Sequence, residues 1–342
     1  MTANVTIVIV NYNGGEKLTH CLQAVLRSGP LLHEVFVVDN ASFDGSESAA
    51  ANHSDPRVRL IRSTTNLGYA GAVNLVLPDV TGMFVAVLNM DTIPEAGWLE
   101  PLVAVAARPE TGAVNPLLLL ADGIHVNAAG QIVHVTGLGF NRGLGRLPGA
   151  FDVEPVRVSG IQGAAFLMRT SVMREIGGMD DSGFLYHEDV NLSWLLSLAG
   201  YDLFCVPQSR VRHDYFLSMV APKYFLLERN RWTLLLAYVP PLALLALLPA
   251  IAVTEVLGWG YALLKGPRFL LAKLRAYPWS AAHRRTIASR RELARRVRRR
   301  SPWKVLAGMS WRYEWTQFAT LHAEKGSTRR EPPGGYSIRG EK

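Results

Sequence analysis

The strongest constraint on the fold is a pattern that repeats through the first 90 residues: a strand-like apolar run, a polar turn, and then apolar residues at helical spacing. The strand-like runs occupy residues 5–10, 34–38, 57–61 and 84–88. Buried apolar strands that alternate with helices form a mostly parallel sheet flanked by helices. Such sheets bind ligands beyond the carboxyl ends of their strands. The sequence therefore predicts an α/β fold whose ligand site lies where these runs end.

The pattern becomes less regular after residue 115. A glycine-rich stretch occupies 137–149, and further strand-like or helix-like segments lie at 124–126, 132–135, 164–169, 189–199 and 203–206. A chain of 342 residues can hold one large α/β domain and a smaller appendage. We therefore predict one domain over residues 1–230, with two halves at 1–115 and 116–230.

The segment 234–264 is almost entirely apolar, and four residues interrupt it: Pro240, Pro241, Pro249 and Glu255. A bilayer span needs ~20 apolar residues, so one kinked span is an option. The prolines instead divide the segment into pieces too short to cross, which favours a re-entrant or interfacial hairpin over 231–265. A buried pair of helices is the third option. The boundary at 230 also predicts that truncation near Arg231 releases a more soluble domain.

The charge of the chain changes sign along its length. Residues 1–264 carry 16 Lys and Arg against 23 Asp and Glu, whereas residues 265–342 carry 20 against 5. Nine arginines lie between Arg284 and Arg300. A basic tail beside an apolar segment favours an anionic membrane surface, and no RNA-reading motif supports nucleic acid as a partner. We predict a basic helical tail over 266–342 with a disordered C-terminus.

Several features predict a location on the cytoplasmic face of a membrane. Cys21 and Cys205 are the only cysteines, and their spacing suggests neither a disulfide framework nor a zinc site. The N-terminus lacks the charged and apolar regions of a signal peptide. The arginine-rich tail should stay on the cytoplasmic side by the positive-inside rule. We therefore expect peripheral or re-entrant attachment at that face.

Two of the strand-like runs lead into a carboxylate. Asp39 could accept a hydrogen bond from a uracil or thymine N–H or from a ribose hydroxyl; the alternative is an N-cap of the next helix. Asp91 could bind Mg²⁺ or Mn²⁺, because a cation that bridges a diphosphate needs only one or two protein ligands. The alternative for Asp91 is an ordinary turn residue.

A third acidic cluster, Glu188 and Asp189, opens a predicted helix. Both carboxylates could cap that helix and offset its dipole. Because they follow the apolar residues 184–186, a raised pKa would instead suit a general base. His213, after another strand-like run, could bind the same metal as Asp91 or could be an ordinary hydrogen-bonded histidine.

The loop 66–74, with the sequence NLGYAGAVN, follows the third strand-like run. Its glycines let the backbone approach a ligand closely. Asn66, Gly68 and Asn74 are therefore candidate ligand-binding residues, although one such loop alone is weak evidence.

Together these segments resemble the family-2 inverting glycosyltransferases of the GT-A fold, and within them a bacterial rhamnosyltransferase-like branch. The resemblance runs in order over about residues 5–216 through six segments: VTIVIVNYNG, EVFVVDNASFDGS, NLGYAGAVN, LNMDT, GAAFLMRTSVMREIGGMDDSGFLYHEDVNLSWLLSLAGY and VPQSRVRHDYF. It implies a GT-A nucleotide-diphospho-sugar transferase fold with a C-terminal helical, membrane-associating region. Residues 1–115 would form the donor half of the catalytic domain and residues 116–230 the acceptor half.

The resemblance also implies roles for individual residues. Asn11 and Asp39 would hold the nucleoside of the donor. Asp91 would bind the diphosphate-bridging metal, with His213 as the second ligand. Asp189, next to Glu188, would be the catalytic base.

Two positions depart from the family pattern EDVDLxxR. Asn191 stands where the second Asp is usual, and Leu195 stands at the Arg. The segment 228–231, ERNR, is similar to an RNR element of the branch that lies near the membrane. The departures leave Asp189 in place but weaken any inference about the acceptor and the leaving group.

The resemblance implies transfer of a hexose-type sugar, rhamnose being one candidate, from a dTDP- or UDP-linked donor to a hydroxyl group. The acceptor would be a cell-envelope glycan or a lipid-linked intermediate, and the reaction would invert the anomeric carbon with Mg²⁺ or Mn²⁺. One rival is a processive polysaccharide synthase, which would need several long spans and a QxxRW-type motif. The other is a non-catalytic membrane-bound scaffold that binds sugar nucleotides.

Overall fold

A computed structural model of the chain describes residues 4–51, 53–214 and 218–317. Within these residues, ten strands form one sheet and two more, β8 and β9, form a small separate sheet. In chain order the strands are β1 Val5–Asn11, β2 Leu32–Asp39, β3 Val58–Arg62, β4 Phe84–Asn89, β5 Thr92–Pro94, β6 Thr111–Leu120, β7 Val126–Ala128, β8 Gln131–Val133, β9 Gly139–Asn141, β10 Val156–Val158, β11 Ala165–Arg169 and β12 Asp202–His213.

The large sheet is mixed. Its order is β10-β12-β6-β11-β4-β1-β2-β3, with β5 paired to β12 and β7 paired to β6. Strands β4, β1, β2 and β3 are parallel to one another, as predicted. The strands β12, β6, β4, β1, β2 and β3 all run the same way, so the predicted mostly parallel sheet is present, with β11 running antiparallel between β4 and β6. The apolar pattern of a short buried strand is the same in either direction, which is why the sequence did not reveal this reversal.

Eleven helices accompany the sheet in the described part of the chain: α1 Glu16–Val25, α2 Ser48–Ala51, α3 Gly68–Val76, α4 Leu99–Ala106, α5 Thr170–Glu175, α6 Glu188–Leu198, α7 Ala221–Tyr238, α8 Pro241–Lys265, α9 Pro267–Ala282, α10 Arg284–Val297 and α11 Pro302–Ala307. Side chains alternate between the faces of a strand, so each face has its own core. In β1, Ile7 and Ile9 pack in the core with α1 and α4. Val8 and Val10 pack in the core with α3 and α6. The strands are therefore covered on both sides.

The apolar segment 234–264 is helical, but the chain is not divided at the positions that the sequence predicts. Helix α7 runs across residue 230, so the domain boundary predicted there is wrong. Helix α8 continues through Pro249 for 25 residues, so one helix replaces the predicted hairpin. Pro249 removes one backbone hydrogen bond, and the remaining bonds of a helix this long hold it together. Among the described residues, α8 alone is long and apolar enough to cross a membrane by length and composition.

The C-terminal helices complete the core that lies beside α3 and α6. Leu234 and Leu235 of α7, Leu247 of α8 and Ile287 of α10 are buried in that core. These helices are therefore part of the main domain rather than an appendage to it.

The helical character predicted for the basic tail is present, but several of its arginines have protein partners. Arg290 forms an ion pair with Asp180, and Arg300 forms one with Asp202. The expectation that this tail meets mainly external phosphate groups is therefore wrong for these side chains. Residues 318–342, for which disorder is predicted, lie outside the described residues.

We expect truncation after Arg231 to unfold the domain, contrary to the expectation from sequence. The cut removes buried side chains of α7, α8 and α10, each worth ~1.5–3 kcal/mol, against a total stability of ~5–15 kcal/mol. Thermal melts in detergent of chains ending at Arg231 and at Gln317 measure this. Cooperative melting of the shorter chain near the temperature of the longer one would contradict it.

Candidate active site at the strand ends

The end of β12 brings His213 next to Asp91. Asp91 lies in the turn between β4 and β5, and β5 pairs with β12 so that Thr92 is opposite His213. The Nε2 atom of His213 is 3.4 Å from Oδ1 of Asp91. On the other side of the ring, Nδ1 is 3.0 Å from Oδ1 of the buried Asn127. The two predicted metal ligands therefore lie side by side.

The surroundings of Asp91 and His213 fit a divalent cation. Oδ1 of Asp91 is buried and accepts no hydrogen bond. Because the amide oxygen of Asn127 can only accept, Nδ1 of His213 carries the proton in the neutral ring and Nε2 keeps a lone pair on the side of Asp91. No group of three or more His, Cys, Asp or Glu within the described ranges could hold a metal by itself. A cation here would need further oxygen ligands, which a diphosphate can supply.

Electrostatics favour the ionised form of Asp91. Burial by itself would raise the pKa of this carboxyl group, but the positive charges of His213, when it is protonated, and of Lys17 outweigh burial and lower it. The ionised carboxylate is the form that binds Mg²⁺ or Mn²⁺.

The parallel pairing of β1 and β2 brings Asn11 opposite Asp39. The Asn11 amide donates to Oδ1 of Asp39 over 2.9 Å and to the hydroxyls of Ser42 and Ser46 over 3.1 and 2.9 Å. The backbone N–H of Ser42 donates to the other oxygen of Asp39 over 3.3 Å. Helix α2 begins only at Ser48, so Asp39 is not its N-cap. Asn11 therefore orients Asp39, and its own Oδ1 is buried with no hydrogen-bond partner.

Gly68 joins the glycine-containing loop to the loop before the acidic pair. Its φ is +74°, and a Cβ there would lie 1.9 Å from the carbonyl oxygen of Phe184, so only glycine fits. Oδ1 of Asn66 accepts from the Gly68 N–H and from the amide of Asn40, both over 2.9 Å. The sequence had not marked Asn40, which ties this loop to the end of β2.

Asn74 has a structural position in the fold. Its amide donates to the carbonyl of Met179 over 2.7 Å and accepts from the Met179 N–H over 2.9 Å. Both ends of the side chain are thus used to hold the turn after α5. The structure thus gives Asn74 a role in holding this turn, and its role in donor binding stays a prediction.

Asp189 is held in a fixed orientation at the start of α6. Its Oδ2 accepts from the amide of Gln131 over 2.7 Å and from the N–H of Gly163 over 3.2 Å, and its Oδ1 accepts from the N–H of Val190 over 2.8 Å. Burial nevertheless raises the pKa of Asp189. No feature of the sequence marked Gln131 or Gly163 as partners of this carboxylate.

Glu188 differs from its neighbour. Its Oε2 is buried and has no hydrogen-bond partner. Burial, and secondly the charge of Asp189, raise the pKa of Glu188 to about 8. Glu188 therefore retains its proton more readily than Asp189, whose carboxylate accepts three hydrogen bonds. When the surroundings of two adjacent acids push their pKa values apart, the two groups can take different roles, one as an acid and the other as a base.

The loop that leads into α6 has an unusual backbone. Phe184, Tyr186 and His187 have φ angles of 60°, 64° and 72°. Left-handed residues other than glycine cost ~1–3 kcal/mol each and persist only where their surroundings impose them. Here the amide of Asn230 in α7 donates to the carbonyl of Tyr186 over 2.8 Å. His187 is the N-cap of α6 and makes no side-chain capping bond, so the acidic pair occupies the first turn of that helix instead.

Comparisons with known proteins show the family of this chain. The family described as Glycosyl transferase family 2 matches residues 6–177, about half of the chain. The chain belongs to this family. The glycosyltransferase is 30% identical to the N-acetylglucosaminyl-diphospho-decaprenol L-rhamnosyltransferase of Mycobacterium tuberculosis, over 62% of this chain and 76% of the relative. It is 31% identical to the pre-mycofactocin glycosyltransferase of the same species, over 62% of this chain and 43% of the relative.

Solved structures establish the fold. GalNAc-T7 with UDP, GalNAc and Mn²⁺ superposes with a TM-score of 0.59 at 19% identity, over 70% of this chain and 48% of that one. The mannosyltransferase PcManGT of Pyrobaculum calidifontis with GDP-Man and Mn²⁺ superposes with a TM-score of 0.51 at 18% identity, over 94% and 85% of the two chains. The family and the GT-A fold predicted from the motifs are confirmed.

We expect Glu188→Gln to raise the melting temperature by an amount that grows with pH between about 4.5 and about 8. The pKa of Glu188 in the folded protein is raised from an ordinary value of 4.5 to about 8. Between these values the folded protein retains a proton that the unfolded chain has released, so its stability falls as the pH rises. Glutamine has no such proton, so the variant avoids this loss.

Thermal melts of the two proteins across this pH range measure the difference. Glu292→Gln, at an exposed carboxylate of α10, is the matched control and should change the melting temperature by the same small amount at every pH. A constant offset for Glu188→Gln as well would contradict the proton on Glu188.

Proposed function

We propose that this glycosyltransferase transfers a hexose-type sugar from a nucleoside diphosphate to an acceptor hydroxyl with inversion. The observation that carries the proposal is a short chain of contacts between the two acidic clusters. The N–H of Asn89, just before the turn that holds Asp91, donates to the carbonyl of Ala164 over 2.9 Å. The N–H of the adjacent Gly163 donates to Asp189 over 3.2 Å. A cation site and a buried base therefore share one edge of the sheet.

The donor would lie along that edge. Asp39, oriented by Asn11, can accept a hydrogen bond from the N–H of uracil or thymine, which favours a UDP- or dTDP-linked sugar. Asp91 and His213 would hold Mg²⁺ or Mn²⁺ against the diphosphate. A bound cation supplies charge neutralisation for the departing diphosphate. The Mn²⁺ in two structural neighbours supports a divalent metal at this edge.

Asp189 would take the proton of the acceptor hydroxyl as the new bond forms. Its three hydrogen bonds fix the orientation of the carboxylate, and a raised pKa makes it a stronger base than an exposed aspartate. Glu188 would stay protonated and keep a second negative charge away from the leaving diphosphate. A single displacement of this type inverts the anomeric carbon.

The acceptor is proposed from the relatives. The Mycobacterium tuberculosis relative is named for transfer of L-rhamnose onto an N-acetylglucosaminyl-diphospho-decaprenol, and a relative from Myxococcus xanthus is named an O-antigen biosynthesis protein. We therefore propose a cell-envelope glycan or lipid-linked acceptor for this chain, with rhamnose as one candidate sugar.

Helix α8 supports a position on the cytoplasmic face of a membrane. One side of α8 is buried on the domain from Ala243 to Ala262, so the helix cannot cross a bilayer while it is docked. The opposite side exposes apolar residues along its length: Leu242, Leu245, Val256, Leu263 and Leu264. An exposed apolar face of this size marks an interaction surface. The surplus positive charge of the following tail favours anionic lipid headgroups.

The same Asp→Asn substitution at two positions separates the two proposed roles. Asp91→Asn should weaken binding of UDP or dTDP with Mn²⁺ by at least ~10-fold, because it removes a charged ligand. Asp189→Asn should leave that affinity unchanged and lower kcat by ~10²- to 10⁴-fold, because it removes only the base. Calorimetry with Mn²⁺ measures the affinity. Release of nucleoside diphosphate from a panel of UDP- and dTDP-linked hexoses measures turnover.

Asp122→Asn, at an exposed carboxylate paired with His125, is the control and should change neither quantity. Full activity of Asp189→Asn would indicate that Asp189 only supports its helix. Nucleotide binding without turnover by the unaltered chain on any donor would favour the non-catalytic scaffold.

We expect the full chain to bind vesicles that contain phosphatidylglycerol, and Leu245→Glu or Val256→Glu to weaken that binding by about tenfold or more each. Both side chains are exposed, at 63% and 72%, so the melting temperature should not change. Vesicle flotation measures the binding. Val153→Glu, another exposed apolar position, is the control. Equal flotation of all four proteins would overturn the proposed membrane face.

A further inference from the structure

A C-terminal arginine reaches the turn that precedes the acidic pair. Arg290 in α10 forms an ion pair with Asp180 and donates to the hydroxyl of Ser182 over 2.6 and 3.1 Å. Its side chain is only 8% exposed, and that of Asp180 is 13% exposed. Asp180 also accepts from the N–H of Ser182 over 3.1 Å, which closes the turn. The arginine and this turn are more than 100 residues apart in sequence, so the contact forms only when α10 is docked.

The same network contains one of the two departures from the family pattern. The amide of Asn191 donates to Oδ2 of Asp180 over 2.9 Å and accepts from the hydroxyl of Tyr238 over 2.9 Å. An aspartate at 191 would place a second carboxylate against Asp180. The other departure, Leu195, is buried in the apolar core. The cation that pairs with Asp180 in this network is Arg290, and it comes from α10.

We propose that Arg290 is a positioning residue for the transfer reaction. Through Asp180 it fixes one end of the loop 180–187, and through Asn191 it fixes the first turns of α6, so that Asp189 keeps its orientation. Helix α10 would then be a required part of the catalytic unit, although it lies outside the segment that matches the family. The inference rests on the proposed function, because it assigns Arg290 a role through the proposed base.

The physical reason is that the loop does not keep its shape unaided. Phe184, Tyr186 and His187 are left-handed, and such residues return to ordinary conformations when their constraints are removed. Loss of Arg290 would also leave Asp180 mostly buried without its counter-ion, which is unfavourable. The donor-side groups Asp39 and Asp91 do not contact this network, so donor binding should be unaffected.

The test is Arg290→Gln, with Arg296→Gln as the matched control. Arg296 lies on the same helix, is 74% exposed and pairs with Glu292. We expect Arg290→Gln to lower kcat by ~10- to 100-fold, the scale of a displacement of about 1 Å in a catalytic group. The affinity for UDP or dTDP with Mn²⁺ should equal that of the unaltered chain. Hydrogen exchange should increase in 180–190 and stay unchanged in the sheet.

A double variant keeps the test informative if Arg290→Gln folds poorly. Asp180→Asn combined with Arg290→Gln leaves no unpaired charge, so it should fold and recover part of the stability while kcat stays low. Turnover of this folded double variant equal to that of Arg296→Gln would overturn the proposal. Equal losses of nucleotide affinity and kcat would also overturn it, because they indicate general destabilisation. Failure of the proposed function is separate: the unaltered chain would then release no nucleoside diphosphate.

Discussion

The side-chain amide of Asn230 is the interaction on which the acidic site most depends. It donates to the carbonyls of Gly183, Leu185 and Tyr186 over 3.2, 3.1 and 2.8 Å. A left-handed loop cannot satisfy its carbonyls by regular secondary structure, and unpaired buried carbonyls are costly. The side-chain amide of Asn230 in α7 therefore stabilises this backbone shape. Since α7 follows the last strand of the sheet, the site is complete only when the C-terminal helices are in place.

The acids of the candidate site differ in their surroundings, and this difference separates their chemistry. Asp91 lies near His213 and Lys17, which outweigh its burial and keep its pKa low. Glu188 is buried beside another carboxylate, which raises its pKa. The surroundings thus favour the ionised form of Asp91 and the protonated form of Glu188. The sequence shows four acids, Asp39, Asp91, Glu188 and Asp189, at the ends of predicted strands or at the start of a predicted helix. Which form of a carboxyl group is favoured depends on burial and neighbouring charges, and these are known only from the folded structure.

The sequence predicts what depends on local pattern and misses what depends on distant contacts. Asp39 and Asp91 lie at or just after the ends of strands, as the sequence predicts, because a buried apolar run followed by a polar turn is a local signal. The continuity of α8 through Pro249 was missed, because packing along the helix overrides a local breaker. The contact of Asn74 with a distant turn and that of Gln131 with Asp189 went unnoticed for one reason. Each residue forms its decisive hydrogen bond with a residue more than 50 positions away.

The charges buried beneath α8 relate the exposed apolar face of this helix to the acidic site. Arg231 pairs with Glu228 and with Glu255 of α8, and Lys273 of α9 pairs with the same two glutamates. Buried ion pairs contribute little net stability, but they are satisfied in only one arrangement and so can fix the register of packed elements. Here they fix the rotation of α8 on α7, which keeps the apolar face of α8 outward. Asn230, which holds the acidic loop, is the neighbour of Arg231 on α7. One helix thus orients both the exposed apolar face of α8 and the backbone that carries Asp189, so under the proposed function a lipid-linked acceptor would meet the proposed base at a fixed distance from that face.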